Sequence, residues 1–186
     1  MNFMKLTTPS VEISESYFEA LEKGYVDKSR GKKATIKDIP TIKNNFTAFV
    51  SSFDDLEPTL DLITLSNGEK VERLPSITRW IWDDGFVGAI SLRWQKGTTD
   101  LPYYCLGHIG CEVVEWKRNQ GFGYFALKSM CEIAKRMEMS FVELVTDFDN
   151  AKAQRLIVKC NGVLIELFVK PKHLGKTLSI RYRIYF

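Results

Sequence analysis

Lys117–Met130 reads KRNQGFGYFALKSM: a basic and polar run set against two glycines, continuing into apolar residues at helical spacing. Two fingerprints overlap in it. Gly121-Phe122-Gly123-Tyr124-Phe125-Ala126 fits G-x-G-x-x-A, the dinucleotide variant, and Arg118-Asn119-Gln120-Gly121-Phe122-Gly123 fits R-x-x-G-x-G. Both place a pyrophosphate at a helix N-terminus, where backbone N–H groups and the helix dipole favour an anion. They differ in the cofactor and fold that they imply.

The residues on either side separate them. A dinucleotide fold puts its first glycine at the end of a strand, whereas Glu115 to Gln120, six polar or bulky residues, intervene here after Val113-Val114. Glu143 does lie about 20 positions on, where a ribose-binding acid is wanted. The chain beyond it, however, supplies one short helix and a hairpin in place of further parallel βα units. R-x-x-G-x-G after a strand ending in Val fits better: a polar loop joins strand to helix, and its glycines let backbone N–H groups approach a ligand.

Working outward, Phe3–Leu6 reads as a first strand. A helix bearing Phe18, Leu21 and Tyr25 follows, with caps offered by Ser14 or Ser16 and an end at Gly24. The basic connection KSRGKKATIK leads to a second helix on Ile42, Phe46, Phe49, Val50 and Phe53, spaced near 3.6 residues. Residues 54–76, punctuated by Pro58, Asn67-Gly68 and Pro75, read as an insertion or substrate loop with a small hairpin at Asn67-Gly68. TRWIW and FVGAISLRW are strands around the turn Asp83-Asp84-Gly85, and CLGHIGCEVV is a third. The glycine loop then opens a helix from about Gly123 to Met139, with Leu127, Met130, Cys131 and Ala134 on one face.

FVELVT is the next strand, Asp149-Asn150 caps a helix to Lys159, and VLIELFV and LSIRYRIYF close the chain. In the last of these Leu178, Ile180, Tyr182, Ile184 and Phe186 alternate with polar or amphipathic partners. The predicted order is β-α-α-β-β-β-α-β-α-β-β. This is an α/β (α+β) fold with a mixed, mostly antiparallel central sheet flanked by helices, in a single domain over 1–186.

Bulk properties bound the function. The chain has 186 residues, 45% of them hydrophobic, and a formal net charge of +3. That charge is too weak for a dedicated nucleic-acid binder. Cys105, Cys111, Cys131 and Cys160 form no C-x-x-C pair, and with only His108 and His173 beside them they read as reduced thiols with no metal site. No run approaches the ~20 apolar residues of a membrane span, and MNFMKLTTPS lacks a signal-peptide core. The expected location is the cytoplasm, and neither nucleic acid nor membrane is an expected partner.

VVEWKRNQGFGYFALKSMCEIAKRM followed by FVELVTDFDNAKAQRLIVKCNGVLIE resembles the GNAT superfamily of acetyl-coenzyme A-dependent N-acetyltransferases over about Pro75 to Phe186. GHIGCEVVEWKRNQGFGYFAL and DFDNAKAQ are especially similar to a bacterial subgroup of predicted acetyltransferases. The resemblance implies an acetyl donor, acetyl-CoA, whose pantetheine arm pairs with the strand at Cys111 and Val113, with Val114 alongside. It implies a pyrophosphate cradled by Arg118, Asn119, Gln120, Gly121, Phe122, Gly123 and Tyr124. Asn150 matches an Asn that commonly meets the coenzyme A arm, with Ala153 a turn further on; a plain helix cap is the other reading of Asn150.

Many members carry a tyrosine that protonates the leaving thiolate; its position here is Ile157, which has no proton to give. Tyr124, Tyr103 and Tyr104 are possible substitutes that nothing in the sequence ranks. Glu112, His108 and Asp147 are the candidate general bases. Glu112 and His108 read equally as salt-bridged and packed residues, and Asp147 as a strand-end carboxylate. The acceptor implied is the amine of a small molecule or a protein, and the protein a monomer or homodimer. A catalytically weak acyl-CoA sensor is the alternative function.

Overall fold

The computed structural model describes residues 4–29, 33–58 and 62–186. Along the chain run β1 (Lys5–Thr7), α1 (Glu15–Glu22), α2 (Ile39–Asn44), α3 (Phe46–Ser51), β2 (Asp54–Asp55), β3 (Ile63–Thr64), β4 (Lys70–Val71), β5 (Ser76–Trp82), β6 (Phe86–Arg93) and β7 (Ile109–Val113). They are followed by α4 (Phe122–Arg136), β8 (Phe141–Asp147), α5 (Ala151–Lys159), β9 (Val163–Val169) and β10 (Leu178–Tyr185). The chain divides into two compact units: residues 1–55, 76–92 and 110–130, and residues 56–75, 93–109 and 131–186.

The first unit is organised by a sheet in the order β1-β5-β6-β7. β1 and β2 both pair antiparallel with β5, Lys5 opposite Trp82 and Asp54 opposite Ile77. β5 turns into β6 through Asp84 (φ 53°) and Gly85 (φ 147°), the tight turn expected from the sequence. Against the sheet sits an aromatic core. Trp80 stacks on Tyr17 at 4.8 Å, with Phe53 and Phe86 edge-on to Trp80 and Phe49 tilted against Tyr17. Such offset and edge-to-face pairs add specific attraction to the area that they bury. Trp80 is therefore a core residue, the plainer of its two readings.

Three local features differ from the sequence expectations. The second helix is broken: Asn45 (φ −138°, ψ 47°) separates α2 from α3, and the Phe46 and Phe49 rings still reach the core. Tyr25 is not on the first helix, because α1 ends at Glu22 and Gly24 (φ 91°) turns the chain before it. Phe3, read as part of the first strand, lies outside the described residues.

In the second unit β8, β10 and β9 form an antiparallel sheet in that order, from Ser179 opposite Asp147 to Tyr185 opposite Phe141. β9 pairs with β10 from Val169–Leu178 to Val163–Arg183, with a register shift between Arg181 and Tyr182. Ile180, Tyr182 and Ile184 are buried, as alternation requires. Ser179 is buried as well, because its hydroxyl bonds to the Asp147 carboxylate. A short β3–β4 hairpin turns at Asn67-Gly68 inside the segment read as an insertion. β9 is an edge strand with Val163, Leu164, Ile165, Leu167 and Val169 all exposed.

Candidate active site

The glycine loop takes the strand-to-helix form that its spacing suggests. β7 ends at Val113, and Val114 is buried with its N–H bonded to the Val87 carbonyl (2.9 Å). One helical turn at Glu115–Lys117 follows, closed by Lys117 N–H to Val114 O and Arg118 N–H to Glu115 O. Asn119 (φ 63°) and Gly121 (φ 88°) are left-handed, and α4 starts at Phe122, whose ring is buried as the anchor of the turn.

Alternation of left-handed with ordinary residues directs successive N–H groups to one side, making an anion-binding concavity. The first N–H groups of α4, those of Phe122, Gly123 and Tyr124, have no carbonyl a turn earlier to meet. A Cβ placed on Gly121 would have nothing within 4 Å, so the glycine is required by its φ and by open space over the loop, not by crowding. Arg118 Nε donates to the Val113 carbonyl (3.1 Å), which ties the loop back to its strand. Lys128 Nζ lies 5.7 Å from the Tyr124 ring.

β7 is the last strand in its sheet order, so it is paired to β6 on one side only within that sheet. Cys111 on it is exposed and Val113 half-buried. Glu112 carries a side chain 37% exposed, with its carboxylate 3.9 Å from Lys28 Nζ. Gly88 packs against this point: a methyl there would sit 2.1 Å from the Glu112 carbonyl oxygen.

The other predicted residues belong to the second unit. His108 is 1% exposed. Its Nδ1 accepts the Glu143 N–H (2.9 Å) and its Nε2 lies 2.9 Å from the Thr99 carbonyl. A carbonyl only accepts, so Nε2 carries the proton and the ring is the neutral tautomer. Burial holds its pKa below the ordinary value. This is the packed, hydrogen-bonded histidine of the plainer reading.

Asp147 receives Lys170 Nζ (2.6 Å), Thr177 Oγ1 (2.9 Å) and Ser179 Oγ (3.2 Å) on one oxygen. The hydrogen bond from Lys170, then that from Thr177, lower its pKa, so it stays ionised and is a weak base. Its visible work is to hold the β9–β10 end of the sheet. Asn150 Oδ1 accepts the Ala153 N–H (3.1 Å), the cap of α5, and the Asn150 N–H bonds to the Asp147 carbonyl (3.0 Å). Ala153 is half-buried on the first turn of that helix.

Ile157 is buried on α5, and a methyl at Gly162 would come within 2.4 Å of its Cγ2. Of the tyrosines named as substitutes, Tyr103 donates to Glu69 and Tyr104 to the Glu72 carbonyl. Glu143, the acid at dinucleotide spacing, is engaged by Arg181 and Arg183, each with a 2.6 Å contact. Its position past the glycines has a structural cause in this ion cluster. The residue that sequence reasoning passed over is Tyr25, assigned to an apolar helix face; its hydroxyl is buried with no hydrogen-bond partner. Among the described residues no three His, Cys, Asp or Glu side chains are grouped to hold a metal. Nor is any described helix long and apolar enough to cross a membrane.

Comparison with known proteins closes the question of fold. The microcin C7 self-immunity acetyltransferase MccE, solved with acetyl-CoA and AMP, matches with a TM-score of 0.60 at 12% identity, over 98% of this chain and 92% of that one. The ribosomal L7/L12 α-N-protein acetyltransferase RimL, solved with coenzyme A, matches at 0.60 and 11% over 98% and 94%. Spermidine N-acetyltransferase from Vibrio cholerae matches at 0.59 and 10% over 98% and 93%. At such identities the likeness is one of fold. No curated protein sequence matched. The family model described as "Acetyltransferase (GNAT) family" matches residues 43–163, more than half of the chain and the whole of the glycine loop. The chain therefore belongs to the GNAT acetyltransferase family.

Proposed function

We propose that this protein transfers an acetyl group from acetyl-CoA to a primary amine. The observation that carries the reading is the loop between β7 and α4, with left-handed Asn119 and Gly121 before a 15-residue helix, inside the matched family segment. The N–H groups of Asn119 to Tyr124 would hold the pyrophosphate, with Arg118 adding charge. The unpaired side of β7 at Cys111 and Val113 would hold the pantetheine arm, Val114 packing beneath. Asn150, with Ala153 a turn on, is proposed to meet the arm through the amide nitrogen that the cap leaves uncommitted. The neighbours solved with acetyl-CoA or coenzyme A support that choice of donor.

The amine nitrogen attacks the thioester carbonyl carbon; a C–N bond forms as the C–S bond breaks. An acceptor that arrives as an ammonium gives up two protons in all: one reaches the departing thiolate and one reaches solvent. Glu112, part-exposed on β7, is the proposed base that takes the first, directly or through water. His108 and Asp147 are proposed as supports, since the hydrogen bonds of both are spent on structure. The neighbours named for spermidine and for a ribosomal protein N-terminus make amines the first acceptors to test. Thiols free of disulfides suit the cytoplasm as its place of action.

The test is incubation with acetyl-CoA and a panel of small amines and peptide N-termini, reading released thiol. Turnover on any amine supports the transferase. Tight coenzyme A binding with no turnover supports the sensor reading, which the buried Ile157 favours. Gly121→Val separates the loop from the rest of the fold. Strain at φ 88° without a clash is expected to lower acetyl-CoA affinity at least tenfold and leave the far-UV spectrum intact. Affinity that survives the change would remove the loop as the phosphate cradle.

A further inference from the structure

Tyr25 lies in the connection after α1, outside the segment that matches the family. It is 7% exposed, its ring lies 5.3 Å from that of Phe86, and its hydroxyl meets no hydrogen-bonding atom. A buried hydroxyl left unsatisfied destabilises a fold, and phenylalanine would fill the same space without that cost. The hydroxyl therefore has a use beyond packing.

Its surroundings indicate the use. Burial first, then the charges of Asp27, Glu112 and the Cys111 thiol, push the phenol pKa upward, so these groups face the ring and the hydroxyl stays neutral. Asp27 is fully buried, held by Tyr17 Oη (3.0 Å) and the Ser29 N–H (2.8 Å). Glu112 is open to solvent on one side, and the cation beside it, Lys28 Nζ at 3.9 Å, is too far for a hydrogen bond and is itself largely exposed. The chain thus already sets a primary ammonium loosely against this carboxylate. A neutral phenol between carboxylates repels anions and offers an acceptor oxygen to an N–H donor.

We propose that Tyr25 and Glu112 form the site for the acceptor's ammonium group, one N–H to the phenolic oxygen and one to the carboxylate, so that the protein takes cationic amines in place of Lys28. This rests on the acetyltransferase reading for its consequence, while the site itself can be probed without turnover.

The probe is 1,5-diaminopentane, titrated calorimetrically in the presence of coenzyme A, with 6-aminohexanoate as a control of similar length bearing a carboxylate. Wild type is expected to bind the diamine at least fivefold more tightly than the amino acid. Tyr25→Phe is expected to weaken the diamine tenfold or more, with coenzyme A affinity within twofold and a melting temperature equal to or above wild type. Lys28→Gln, which removes the competing ammonium, is expected to tighten the diamine. Diamine binding by Tyr25→Phe within twofold of wild type overturns the proposal. So does absence of diamine binding to wild type, or a melting temperature lowered by the phenylalanine. Coenzyme A that fails to bind wild type would instead overturn the acetyltransferase reading and leave the ammonium titration to decide on Tyr25.

Discussion

Ile157 occupies the position at which the family resemblance leads one to expect a phenol. Its side chain is buried and meets Gly162 so closely that one extra carbon there would clash. Ile157→Tyr therefore overfills a packed site rather than supplying an acid. It is expected to lower stability by about 1–3 kcal/mol, in the range for overpacking, with no gain in kcat. Thermal melts and amine turnover on the same preparation check both halves. Asn150 teaches a related point: the Asp-Asn pair before a helical pattern was enough to read a cap, because capping depends on neighbours three residues away. The tie between His108 and Glu143 was not readable, since its two partners are 35 residues apart in sequence.

Elements carry the next set of differences. Hydrophobic spacing over Ile42–Phe53 was correct in placing Phe46 and Phe49 inward, yet it reported one helix where α2 and α3 meet at Asn45. Periodicity records which side chains are buried and not whether the backbone is continuous. β7 shows the reverse case: nothing in FVGAISLRW marks Gly88 as special until β6 and β7 are paired. Once paired, a methyl at 88 sits 2.1 Å from the Glu112 carbonyl and 2.9 Å from the Val113 Cα. Backbone must then move, so Gly88→Ala is expected to cost about 3 kcal/mol or slightly more, at the upper end of overpacking effects. It is also expected to weaken amine turnover more than coenzyme A binding, because it displaces Glu112 and not the loop. Urea unfolding together with a coenzyme A titration tests this, and an unchanged midpoint would show that the strands yield without strain.

Over the whole chain, the sign of the pH response follows from two shifts. The His108 pKa is lowered by burial from its ordinary 6.5, so its contribution to stability is complete above that value and is lost as pH falls through the lower folded pKa. Asp147, lowered by its bonds to Lys170 and Thr177, keeps its contribution above about 3.8 and loses it further down. Melting temperature is accordingly expected to decline in two steps on acidification, the first below neutrality and the second below pH 4. His108→Gln should flatten the first step while lowering the melting temperature at pH 7.5. A slope that persists in the variant would assign the first step to another group.

The sequence by itself determined the family, the order of elements and the loop after β7. Each of these rests on local spacing: alternation for strands, 3.6-residue recurrence for helices, and glycine where a short connection must take a positive φ. The tertiary structure decided which polar groups are occupied. Glu143 meets Arg181 and Arg183, Asp147 meets Lys170 and Thr177, and His108 has both nitrogens engaged. It also showed that the Tyr25 hydroxyl has no partner. Chain separation explains the division. A side chain's hydrogen-bonding partner is set by where distant segments are brought together, and local pattern carries no record of that.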